Sequence, residues 1–198
     1  MNDPADNKNY LPIMTSAKNL FWKYGLRKVS VEEICNEAGV SRMTFYRMFK
    51  NKNEVAEQLL KQIFDDASSI FQDIMTQPIP FPEKIKKIIL LKHEHAQNLS
   101  SEFMAEFYTS NESLKKIFDE YKTRITKEMR KYFTQAQKDG WIRKDLKIDF
   151  IFYMLSVIQE KIFDPEFTAL HKTPHDAIME MTNFFFYGIL NSNNSEGD

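Results

Sequence analysis

The sequence predicts an all-α chain of about nine helices, and three observations carry that prediction. Five glycines and seven prolines in 198 residues leave few places where a helix must stop. Phe (17 residues) and Met (10) join Leu, Ile, Lys and Glu in a mixture rich in helix formers. No alternation of apolar and polar residues runs long enough to build a sheet. At this length, with 42% hydrophobic residues, the chain can bury a real core.

Residues 1–9 and 191–198 read as polar tails. The first helix spans about 11–24, with Ile13, Ala17, Leu20, Phe21 and Tyr24 on one face and Gly25 closing it. The second is Val31–Glu37, with Ser30 as N-cap and Glu33 completing a capping box. Its apolar stripe is Val31, Ile34, Cys35 and Ala38, and Gly39 allows a sharp turn after it. Ser41 caps a third helix, about 42–49, and Asn51 with Glu54 starts a fourth that runs to about Thr76. The run Pro78–Pro82 breaks the chain. Further helices follow at about 83–98, 101–109, 111–139, 147–163 and 174–190, the last opening on Thr173-Pro174.

Charge is uneven. From Lys18 to Lys52 there are eight Lys/Arg and three acids, a local +5 in a chain whose net charge is −1. A basic end on a near-neutral protein suits a module that meets phosphate with that end. The lone Cys35 rules out an internal disulfide, and a packed thiol fits its place on the apolar stripe. The acidic N-terminus is not a signal peptide and the apolar runs are too short for a bilayer, so a soluble, cytoplasmic protein without membrane attachment is expected.

The chemistry concentrates in Ser30–Lys52. A short helix, a glycine turn and a second helix with one buried and one bare face make a helix-turn-helix, whose second helix enters the DNA major groove. Phe45 and Phe49, four residues apart, form the inward face. Arg42, Met43, Tyr46 and Arg47 form the outward one. Arg42 or Arg47 can fork onto a guanine edge, and Met43 can touch a thymine methyl. The hydroxyls of Thr44 and Tyr46 suit phosphate oxygens. Lys52 and Ser30, each beside a helix start, are further expected phosphate contacts.

Ile13–Val55 resembles the N-terminal domain of the TetR family of bacterial regulators. The resemblance rests on the LFxxxG end of the first helix, the S-V-x-x-I-x-x-x-A-G-V-S core, the T-F-Y triplet and the F-K-x-K that leads into the fourth helix. Met43 and Met48 depart from the family's usual small residue and usual His or Tyr, which bears on base preference. The resemblance implies a DNA-binding domain at 10–52 and a helical domain at 53–190 that dimerises and binds a small ligand. It implies a repressor that grips a palindromic operator as a homodimer and is released by its effector.

The helices at 147–163 and 174–190, apolar on more than one face, are the expected dimer surface, with intrachain core as the alternative. Phe64, Phe71, Phe103, Phe107, Tyr108, Phe118, Tyr121 and Ile125 could line a pocket for an apolar or aromatic ligand, or simply form core. Two other readings stay open: a DNA-binding regulator without a small ligand, and a helical-bundle metalloenzyme. The second is poorly supplied. Leu90, Lys92, Thr168 and Lys172, not Glu, precede the four histidines by three residues, and His93 and His95 point to different helix faces. No catalytic residue, cofactor or metal is expected.

Overall fold

The computed structural model describes residues 8–96, 106, 112–161 and 164–191. Among them the helices are α1 Tyr10–Tyr24, α2 Val31–Ala38, α3 Arg42–Met48, α4 Lys52–Thr76, α5 Phe81–Ala96, α6 Glu112–Lys138, α7 Ile148–Lys161, α8 Pro165–Thr168 and α9 Pro174–Ile189. Apart from Glu106, the expected helix at 101–109 lies outside the described residues, as does most of both tails. The short α8 was not expected. The Asp164 carboxylate accepts the Glu166 N–H at 3.0 Å and starts that turn. No described helix is long and apolar enough to cross a membrane.

The chain forms two compact units, Met1–Asp65 with Asn98–Phe118, and Asp66–Gln97 with Asp119–Asp198. The boundary expected at 52/53 therefore moves into the middle of α4. The physical reason is that Val55, Ala56, Leu59 and Leu60 are buried in the same core as α1–α3. The start of α4, through Leu60, belongs to the helix-turn-helix as its floor.

In the first unit, Ile13, Ala17 and Phe21 of α1 meet Ile34 and Cys35 of α2, Phe45 of α3, and Phe49. Tyr24, expected on the inner face of α1, is exposed instead. Burying Phe21, Phe45 and Phe49 almost completely contributes roughly 1.5–3 kcal/mol each from apolar area. Burial holds the Cys35 thiol above its ordinary pKa, as a packed thiol requires.

In the second unit Phe133 is the centre of an aromatic cluster, fully buried, with ring centroids of Phe81 and Phe152 at 5.4 and 5.5 Å. Its ends are tied by polar groups. Lys84 Nζ donates to the Met75 carbonyl at 2.6 Å, closing the end of α4. Helix α5 starts at Phe81, two residues earlier than expected, because a first helical turn accommodates Pro82. Past α9 the backbone pairs Ile142 with Leu190 in an isolated bridge, so Asn191 is tethered: its N–H donates to Trp141 at 2.9 Å. His93 Nδ1 and His175 Nε2 are 2.9 Å apart, joining α5 to α9. Among the described residues, no three potential ligands gather as a metal site.

Candidate nucleic-acid interface

Helix α2 begins with a complete capping box. Ser30 Oγ accepts the Glu33 N–H at 3.1 Å, and the Glu33 carboxylate accepts the Ser30 N–H at 2.7 Å. Those bonds, the backbone one first, hold Glu33 below the ordinary carboxylate pKa. Gly39 ends the helix at φ 67°, a left-handed conformation that costs glycine nothing. Ser41 then caps α3, its Oγ accepting the Thr44 N–H at 3.1 Å. Two caps and one glycine thus set the angle between α2 and α3.

The inward face of α3 is fixed by stacking. The Phe45 and Phe49 rings lie 5.5 Å apart, and Phe49 stacks on Tyr10 at 5.7 Å with an interplanar angle of 26°. The outward face is bare. Met43 is 74% exposed and Tyr46 51%, far above what core packing leaves to residues of their size. Arg42 and Arg47 are exposed, and neither side chain makes a hydrogen bond or ion pair among the described residues. A guanidinium left without a partner keeps five donors for a ligand. Lys50 is exposed just past α3.

Two expected phosphate contacts have other work. The Lys52 ammonium donates to the carbonyls of Leu26, Arg27 and Val29 at 2.7, 3.0 and 2.6 Å. All three of its donors are used, so it fastens the α1–α2 loop instead of facing solvent. Burial in that cradle lowers its pKa, against the opposing pull of Glu106 and Glu33. Ser30 likewise spends its hydroxyl proton on Glu33 Oε2 at 2.8 Å, and a phosphate there would meet that carboxylate. Thr44 is half-buried and its hydroxyl is shared with Ser41 at 2.9 Å. The face that stays open is therefore Arg42, Met43, Tyr46 and Arg47.

Sequence reasoning missed Glu106. Its carboxylate accepts the Arg27 N–H at 2.8 Å and fills the space beside Gly25, where a Cβ would come within 2.9 Å of it. Gly25, at φ 83°, is needed for both conformation and room. Nothing local in the sequence announces a partner 79 residues away.

The expected pocket residues do not assemble into one site. Phe64 and Phe118 meet at 5.9 Å in the first unit, whereas Phe71 and Ile125 are buried core of the second, with Tyr121 packed against it. Phe103, Phe107 and Tyr108 lie outside the described residues.

Residues 13–59 match the family described as bacterial regulatory proteins, tetR family. The helix-turn-helix of this chain is thus of the tetR-family type, and the chain is a DNA-binding regulator and not an enzyme. The transcriptional repressor KstR2 of Mycolicibacterium smegmatis is 26% identical over 160 residues, 76% of this chain and 75% of that protein. The fold is that of regulatory protein TetR from Rhodobacter sphaeroides, with TM-score 0.72 and 16% identity over 92% of this chain and 100% of that one. It also matches FadR from Bacillus subtilis, solved in complex with stearoyl-CoA, with TM-score 0.66 and 20% identity over 91% and 99%.

Proposed function

We propose that this chain is a cytoplasmic TetR-like repressor that grips a palindromic operator as a homodimer and lets go when a small molecule binds. The observation that carries the reading is the bare face of α3, held in register by Phe45 and Phe49 behind it. Arg42 and Arg47 read base edges, Met43 and Tyr46 flank them, and Lys50 adds attraction to the phosphates. Lys52 and Ser30 keep the frame rigid and touch no DNA. The functional division follows, with the helix-turn-helix and its α4 floor on DNA and the second unit for dimerisation and ligand. Repression is favoured by the likeness to a repressor over three quarters of its length.

A second copy is favoured by the outer surface of α7 and α9. Phe150 and Tyr153 on α7, and Phe184 and Tyr187 on α9, are 51%, 66%, 74% and 67% exposed. Four large aromatics on the outside of one unit are what an uncovered interface looks like. A two-fold dimer would set its two α3 helices about 34–36 Å apart, one turn of DNA. A small-molecule effector is favoured by the fold neighbour solved with stearoyl-CoA.

The test is selection of binding sites from random DNA, followed by sedimentation of the complex. An inverted repeat bound by two chains, with affinity falling steeply as salt rises, is expected. No preference over random DNA at low salt overturns the reading.

A further inference from the structure

We propose that the short turn α8 is latched to α9 by a proton on His171: the imidazolium cation holds the turn down, and loss of one ring proton lets it go.

Hydrogen bonding comes first. His171 Nδ1 is 3.1 Å from the Phe167 carbonyl of α8, and Nε2 is 2.7 Å from the Glu180 carboxylate of α9. A carbonyl and a carboxylate both accept, and neither donates. Each ring nitrogen must therefore carry a proton, and only the imidazolium has two. The His171 side chain is 8% exposed, so bulk water does not stand in for a lost partner. Neutral imidazole has one donor and would set the lone pair of its other nitrogen against an acceptor.

The surroundings favour the same form. The Phe167 ring lies 4.8 Å from the imidazole, within the reach of a cation–π contact. The charged groups that face the ring are Glu180 and Asp176, both on α9 and both acidic; from α8 it meets the Phe167 carbonyl and ring. The bond to Glu180 is the largest influence. Together with the Phe167 carbonyl and the two carboxylates it outweighs burial and holds the His171 pKa above the ordinary histidine value.

The turn has little of its own to hold it. Helix α8 is four residues long, and its Phe167 and Thr168 are only half-buried. Leu170, 78% exposed, adds no apolar anchor. The backbone bonds are local: Thr168 N–H to Asp164 at 2.9 Å, Leu170 N–H to Phe167 at 3.1 Å and His171 N–H to Thr168 at 3.1 Å. Segments with so little buried area open easily. Glu180 shares its face of α9 with Phe184 and Tyr187, at spacings of four and three, so the latch borders the exposed aromatic surface.

The direction with pH follows. A histidine whose pKa is raised by folding stabilises fully below its ordinary value, about 6.5, and that stabilisation is lost as the pH climbs through the raised value. The turn is fastened in mild acid and freed in mild alkali.

The latch is tested by amide hydrogen exchange of the full-length protein, read by NMR as protection factors so that the intrinsic rate at each pH cancels. Between about pH 6 and about pH 9, protection of Thr168, Leu170 and His171 is expected to fall by about 10- to 100-fold while α9 keeps its own, the range for a hydrogen bond to a charged group. Glu180→Gln separates a proton switch from plain packing. Its amide can donate to a neutral Nε2 while Nδ1–H stays on Phe167, so protection should hold at both pH values. His171→Phe should lose it at both. His175 is another titratable group nearby, its Nδ1 3.6 Å from Asp176, so His175→Gln is included and should keep the wild-type pH dependence. Equal protection of wild type at both pH values, a Glu180→Gln variant as pH-dependent as wild type, or full protection in His171→Phe each overturns the latch. So does a pH dependence that vanishes in His175→Gln, or a His171 ring that carries one proton at about pH 6 by nitrogen NMR.

Discussion

In the first unit the aromatic rings of Phe45 and Phe49 are shut away and two arginines stand bare; in the second, Phe133 is shut away and Phe184 and Tyr187 stand bare. Each arrangement departs from ordinary packing in one respect, and each departure names what is absent. Unpaired guanidinium groups on a stiff helix need an anionic polymer. Exposed aromatics need another apolar surface. The difference teaches that a regulator's partners are legible as unmet physical requirements, and that those requirements differ by region: charge in one unit, apolar area in the other.

Equivalent truncations in the two units should therefore behave differently. Phe45→Ala removes a fully buried ring and should lose about 3–5 kcal/mol of folding stability by urea denaturation. A cost under about 1 kcal/mol would mean that α3 is not held by that ring. Phe184→Ala with Tyr187→Ala should leave the far-ultraviolet circular dichroism intact and weaken self-association by about 2 kcal/mol or more in sedimentation equilibrium. An unchanged dimer would show that this face is not the interface.

Lys52→Met separates a structural lysine from a DNA-binding one. Three carbonyls lose their donor, so stability should fall by about 1–2 kcal/mol. The slope of log affinity for DNA against log salt should stay as in wild type. A slope shallower by about one unit would make Lys52 a phosphate contact after all. Ser30→Ala carries the smallest effect, about 1 kcal/mol of stability from the lost cap, with the same salt slope.

The sequence was most readable where local rules act alone. Caps at Ser30, Ser41, Asn51 and Thr173 follow from residues three positions apart, and the structure has all four: each side chain accepts the backbone N–H three residues on. The inward and outward faces of α3 follow from helical spacing. What was unreadable depends on distant pairing. Lys52 could be seen as a cation beside a helix start, but not as one whose three donors are spent on carbonyls 23 to 26 residues earlier. Glu106 and the Ile142–Leu190 bridge are invisible for the same reason. The choice between pocket and core was unreadable for another reason: aromatic content does not say which core a ring joins, and Phe64 and Phe71, one on each side of the unit boundary, pack into different ones.

The most direct measurement of the central claim is the affinity of Arg47→Ala for a selected operator and for random DNA of equal length, at one salt concentration. If α3 presents Arg47 to a base edge, binding to the operator weakens by about 1–3 kcal/mol while binding to random DNA changes far less. Equal losses on both would make Arg47 a phosphate contact, and no loss on either would contradict α3 as the reading helix.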